Sequence, residues 1–164
     1  MFDVTLVGAA ELMVHLDQMP GSVQALLKAK IAALAVALQQ HVVDDKLHGQ
    51  VLNQRTGALA RSIQQEAPIV DDASILGRVY ASGDVKYARV HEYGFDGDET
   101  VKQHVRSMVF GKRVAPFSVG PFNRHMTMPG RSYLRAGLAD QSAAIVGELQ
   151  AAVIEGMQQA LGHI

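Results

Sequence analysis

The chain has 164 residues, 48% of them hydrophobic and 19% charged, which suits one domain with a buried core and argues against disorder. It has no cysteine, excluding disulfide scaffolds, thiolate metal sites and cysteine nucleophiles; its most apolar run, residues 31–38, is far short of a bilayer span, and Met1-Phe2-Asp3 lacks the basic start of a secretory signal, so a soluble protein made inside the cell is expected. The net charge of −1 excludes a uniformly basic or acidic surface but hides an uneven distribution.

Residues 2–7 alternate apolar and polar and predict a short strand closed by Gly8; residues 9–19 predict a short helix broken by Pro20-Gly21. Ser22 is placed to cap a helix of about 26 residues ending at Gly49. Its apolar stripe is Val23, Leu27, Ile31, Leu34, Leu38 and Val42, widened by alanines that permit close helix contact. Arg55-Thr56-Gly57 opens a new unit. Thr56 is expected to cap a helical turn over residues 58–62, and strands over 63–70 and 75–82 form a hairpin around Asp71-Asp72-Ala73-Ser74. Residues 84–93 predict a helix ended by Gly94 at positive φ, and residues 95–99 an exposed loop.

Residues 101–110 follow strict period-two alternation. Val101, Gln103, Val105, Ser107 and Val109 take one face; Lys102, His104, Arg106, Met108 and Phe110 take the other. Gly111-Lys112-Arg113 predicts a basic turn and residues 114–119 the return strand. Pro116 and Pro121 suit an arm leaving a sheet, so a projecting basic β-hairpin is expected over residues 95–127. Pro129-Gly130 leads into a helix over about residues 132–161 with the stripe Leu134, Leu138, Ile145, Leu149, Val153, Met157 and Leu161; Gly137, Gly147 and Gly156 weaken it locally. Leu34 and Leu38 are expected to face Leu138, Ile145 or Leu149. Helix, strands and helix in that order imply an α+β fold. A small antiparallel sheet is packed by a long N-terminal and a long C-terminal helix, in a single domain over residues 1–164.

Residues 1–99 hold eight Lys/Arg against thirteen Asp/Glu, and residues 140–164 hold three acids and no cation. Between them, residues 100–139 hold seven cations, Lys102, Arg106, Lys112, Arg113, Arg124, Arg131 and Arg135, and no acid. Such a stretch reads as a partner-binding surface, or as cations that pair with acids elsewhere in the fold.

No catalytic constellation stands out. The nucleophile elbow, the Walker pattern and the dinucleotide glycine fingerprint are missing, and the paired acids Asp44-Asp45 and Asp71-Asp72 are adjacent in sequence. His91-Glu92 lacks a second histidine four residues on. His41 and His48 flank Asp44 and Asp45, and His104 and His125 could approach across the hairpin, but neither pair has ligand spacing. Glu92 reads best as an intrachain salt bridge or a helix-surface residue, with a hydrolase built on His91, Glu92 and the hairpin histidines a distant alternative. Neither cofactor nor metal is expected. Phe110, Phe117, Phe122 and Tyr133 interleave with the cations as in single-strand nucleic-acid binders, without a helix-turn-helix or RNA-recognition consensus.

Three blocks carry a resemblance: Thr56-Gly57-Ala58-Leu59-Ala60-Arg61-Ser62-Ile63, Tyr87-Ala88-Arg89-Val90-His91-Glu92-Tyr93-Gly94, and Met128-Pro129-Gly130-Arg131-Ser132-Tyr133-Leu134-Arg135. In this order they resemble the neck, tail-completion or minor tail proteins of long-tailed bacteriophages, the virion morphogenesis family. The resemblance implies a structural virion protein at the head–tail joint or tail top, made in the bacterial host's cytoplasm. Such a subunit forms a homo-oligomeric ring, meets neighbouring connector or tail proteins and has no enzymatic activity. Its family-motif residues are Thr56, Gly57, Leu59, Ser62, Tyr87, Ala88, Glu92, Gly94, Pro129 and Leu134. The long basic insertion departs from shorter members of the family. The alternative is a nucleic-acid-binding module whose hairpin tracks phosphates.

Overall fold

The structure, a computed structural model, describes residues 21–53, 56–71, 74–83, 85 and 87–161. The strand expected over residues 2–7 and the helix over 9–19 lie outside the described residues. Helix α1 (Gly21–His41) runs directly into a π-helical turn, Val42–Lys46. Ser22 therefore sits inside the helix instead of capping it. By length and composition this 26-residue unit is also apolar enough to cross a bilayer, which the short apolar run did not suggest. Its hydropathy owes much to alanines, and in the fold it packs on the sheet and on the last helix.

Helix α2 (Ala58–Ser62) leads into the antiparallel pair β1 (Ile63–Asp71) and β2 (Ser74–Ala81). The register shifts between Glu66 and Ile69, where Ala67 and Pro68 oppose Gly77 alone. Pro68 has no N–H to contribute to a ladder, and a bulge tolerates that. Opposite it, a Cβ on Gly77 would lie 2.7 Å from Ile31 Cγ2 and 4.0 Å from the Ala35 Cβ. The strand thus lies almost on the helix. That explains why Ala35, not Ile31 or Leu34, is the buried residue at mid-helix, between buried Val23, Leu27 and Val42.

Helix α3 (Tyr87–Tyr93) ends at Gly94, φ +82°, as expected. The next segment is not a loop. It is strand β3 (Phe95–Val101), paired with β6 (Phe122–Met128), and β4 (His104–Val109) pairs with β5 (Lys112–Val119). The acids of residues 95–99 suggested a loop, but they find partners across the ladder on β6, Glu99 with Arg124, Asp98 with His125 and Asp96 with Thr127 and His125. The single strand expected over 101–110 is interrupted at Lys102-Gln103, facing Gly120-Pro121. The turn falls on Phe110-Gly111, with φ +48° and +76°, so Lys112 and Arg113 belong to β5. Phe95↔Met128 and His104↔Val119 share one register, making the two ladders one continuous ribbon. Nor does the valine face pack on a core, since Val105 is 70% exposed.

Helix α4 (Tyr133–Leu161) closes the α+β fold, whose small antiparallel sheet is divided into three two-stranded ladders. It packs antiparallel on α1, and two glycines expected to weaken it are the contact points. A Cβ on Gly137 would stand 2.6 Å from Val42 Cγ2, and one on Gly156 would stand 3.1 Å from Val23 Cγ1. The buried line at the C-terminal end follows Ala152 and Gly156, leaving Met157 exposed. Leu34 and Leu38 do line one cavity with Leu138, Ile145 and Leu149, an apolar cleft of about 160 Å³ between α1, β2 and α4. At its end Lys46, almost fully buried, pairs with Asp140 and donates to Gln50 Oε1 at 2.7 Å. The Lys46 ammonium holds the Asp140 carboxyl below the usual carboxylate range.

The glycines make a direct test of this packing. A Cβ added at Gly147 would meet nothing within 4 Å, so Gly147→Ala should stabilise by about 0.5–1 kcal/mol through helix propensity. Gly137→Ala should destabilise by about 1–3 kcal/mol because the methyl overpacks against Val42. Urea unfolding of both variants measures the opposite signs.

Candidate functional site

The three sequence blocks meet in space. The first turn of α4 has backbone N–H groups with no partner inside the helix. The Glu92 side chain of α3, 2% exposed, supplies acceptors for two of them, taking Leu134 N–H at 2.9 Å on Oε2 and Arg135 N–H at 3.2 Å on Oε1. Arg135 folds back over it, donating from Nε to Glu92 Oε1 at 3.0 Å and from Nη2 to the Glu92 carbonyl at 2.9 Å. Its guanidinium also lies 4.9 Å from the centre of the Tyr93 ring, close enough for a cation–π contact. Of the two readings of Glu92, the salt bridge is present and the helix-surface position is not, since the side chain is buried and caps α4 as well, which no local pattern announced.

Two glycines allow this approach. A Cβ on Gly94 would lie 2.8 Å from Gly130 N, and one on Gly130 would lie 3.0 Å from the Tyr93 carbonyl carbon. Arg131 N–H then donates to the His91 carbonyl at 2.6 Å. Tyr133 is 1% exposed beside these groups; burial first, then the negative charge of Glu92, drives its hydroxyl pKa well above the ordinary range. Gly57, φ +69°, stands at the start of α2. Ser62 is buried and donates to the Leu59 carbonyl at 2.7 Å, while its own carbonyl accepts from Ser82 N–H at 2.7 Å. Ala88 and Leu59 are core residues. The cap position of α2 is Gly57, not Thr56 as expected, and Thr56 Oγ1 makes only a long 3.5 Å contact with Ala58 N–H.

Beside this junction is a second cleft of about 330 Å³. It is lined by Thr56, Gly57 and Leu59 from the first block, Tyr87 and His91 from the second, and Arg131 from the third. Tyr87 and His91 meet edge to face at 5.6 Å. Burial, followed by the Arg131 charge, lowers the His91 pKa from the ordinary histidine value. The positions that carry the resemblance thus converge as helix-junction residues.

The other expected site is the arm. Of its cations and their neighbours, Arg124 pairs with Glu99 at 2.9 Å and Arg135 with Glu92, so both are internally neutralised. His125 lies 3.0 Å from both Asp96 and Asp98, and Thr127 donates to Asp96 at 3.0 Å. His104 and His125 are on strands that do not pair, so they do not come together as a hairpin pair. The surface expected from seven cations therefore contracts. Among the described residues Lys102, Arg106, Lys112 and Arg113 form no ion pair and are exposed. Arg106 is directly opposite Phe117, and Met108 is opposite Arg113. Val105, Met108 and Phe117 are exposed with them, and Phe110 at the tip is 100% exposed. The outer half of the ribbon is thus a cationic and apolar surface with no core behind either face.

The acidic half of the ribbon base, Asp96, Asp98 and Glu99, was missed in sequence. Reflection about the Phe110-Gly111 turn would set these acids against His125, Asn123 and Phe122; the register shift between Arg106 and Met108 sets them instead against Thr127, His125 and Arg124, so the turn alone does not signal the pairing. Among the described residues no group of three or more His, Asp or Glu side chains could hold a metal ion. No family model matches the chain, and comparison with curated proteins and with solved structures finds no match.

The junction is tested by two substitutions. Glu92→Gln should cost about 2 kcal/mol, because a buried cap loses one acceptor and its charge. Arg135→Gln should cost about 2–4 kcal/mol, since it leaves the buried Glu92 carboxylate without its countercharge. Chemical denaturation gives the ordering. His91 is tested by NMR titration. Its midpoint should lie below 6.5, and Arg131→Gln should raise it part of the way back. Because the folded value is the lower one, His91 favours the fold above the unfolded midpoint. That contribution is lost as pH falls through the folded one.

Proposed function

We propose that this protein is a structural subunit of a long-tailed bacteriophage virion, acting at the head–tail joint or the top of the tail as a ring-forming connector or tail-completion protein. The observation that carries this reading is the arm. It is a two-stranded ribbon whose outer half is exposed on both faces and bears unpaired Lys102, Arg106, Lys112 and Arg113. A monomer gains nothing from such an element; a subunit that must grip a neighbour does. The three blocks that resemble the virion morphogenesis family support it further. They build the junction from which the arm departs, between Gly94 and Gly130. An assembly role asks for no cofactor and no catalytic group, and the intrachain use of Glu92 is consistent with that.

A second reading is supported by Arg106 standing opposite Phe117, with Phe122 also exposed. Cations interleaved with aromatic rings suit a nucleic-acid-binding module. Protein is the favoured partner, because a channel that carries DNA must let it slide, and tight phosphate contacts hinder sliding. Salt dependence separates the two: four phosphate contacts would give a slope of about −4 in log affinity against log salt.

Replacing Lys112 and Arg113 together by glutamate should leave the isolated fold nearly unchanged, since exposed charges contribute little to stability. The same change should block the joining of heads to tails, seen by electron microscopy of phage lysates as separate heads and tails. Normal infectious particles from the double variant would show the arm's charge to be incidental.

A further inference from the structure

The tip of the arm is at odds with an isolated monomer. A two-residue turn of this kind needs positive φ at both positions, and Asn-Gly or Gly-Gly meets the need at least strain. Here the first position is Phe110, φ +48°, a conformation disfavoured for a bulky side chain, and its ring is 100% exposed. Both features count against the free chain, and nothing within the described arm offsets them.

The body of the same chain holds a hollow of matching size. The cleft between α1, β2 and α4 is about 160 Å³, open at one side and walled by Ile31, Leu34, Leu38, Ile75, Ile145 and Leu149. A dry apolar cavity of about 150 Å³ accepts a benzene ring, which is the end group of phenylalanine.

We propose that Phe110 of one copy inserts into the apolar cleft between α1, β2 and α4 of a second copy. This rests on the ring-forming reading above and names the contact that would build the ring. The copy's own cleft is not the natural receptor. The 15-residue strand path from Phe95 to Val109 carries the tip about 50 Å outward at ~3.3 Å per residue, so a return to the same body requires the ribbon to reverse. A tip-in-cleft contact is heterologous: it leaves one cleft and one tip free at the two ends of a chain of subunits, and it closes only as a ring.

The test uses the whole chain. Sedimentation of wild-type protein should show concentration-dependent oligomers, and Phe110→Gly should weaken association at least tenfold. Its thermal midpoint should be unchanged or higher, because glycine relieves the positive φ. A side chain that merely supported the turn would lower that midpoint. The chain lacks cysteine, so single variants Phe110→Cys and Leu34→Cys can be mixed and oxidised; a cross-link between different chains is expected. Should Leu34→Cys not fold, Ile75→Cys offers the opposite wall. Wild-type oligomers that persist unchanged in Phe110→Gly would overturn the insertion while leaving ring formation standing. A cross-link confined to one chain in the Phe110→Cys/Leu34→Cys double variant would also overturn it. Wild-type protein monomeric at every concentration would overturn the ring-forming reading itself.

Discussion

Glu92 is buried because the first turn of α4 offers N–H groups that only an acceptor from elsewhere can satisfy, and because Arg135 covers the charge on its outer side. A buried charge without such partners would be costly; with them it ties a short helix to a long one across 42 residues of sequence. The contact also sets where the chain must leave α3 and where it must re-join α4. Those two points are Gly94 and Gly130, and their backbones touch.

The arm follows from that closure. With residues 94 and 130 in contact, the segment between them leaves and returns at one point, and the side chains of its inner half are arranged to hold it as a ribbon. Asp98 and Glu99 on β3 meet His125 and Arg124 on β6, so the acids of the base have partners across the ladder. Beyond the break at Gly120-Pro121 no acids remain, and the side chains on both faces are left to solvent. Paired charge at the base and unmatched charge at the tip divide the ribbon into a stem and a contact surface.

The body uses small residues for the same purpose at a second place. Gly77, Gly137 and Gly156 each stand where a strand or helix backbone approaches α1 too closely for a side chain. The α1–α4 pair touches at both ends and gapes in the middle, where leucines and isoleucines surround the cleft. Close contact at the ends is what keeps that cleft from collapsing.

The elements legible from residue order are those whose signals are local. Period-two alternation marked β4, the apolar three-and-four spacing marked α1 and α4, and Gly94 marked the end of α3, because backbone preference and side-chain period act within a few residues. Residue types also pointed Glu92 to a salt bridge sooner than to a catalytic role. Whatever depends on partners far along the chain emerged only on folding. Asp96, Asp98 and Glu99 became strand residues because β6 presents cations to them; Gly137 and Gly156 became packing contacts because α1 lies against them. Likewise Arg124 and Arg135 left the free basic surface while Lys112 and Arg113 stayed on it, since a charge's availability depends on which acid the fold carries to it, and no spacing rule within the segment records that.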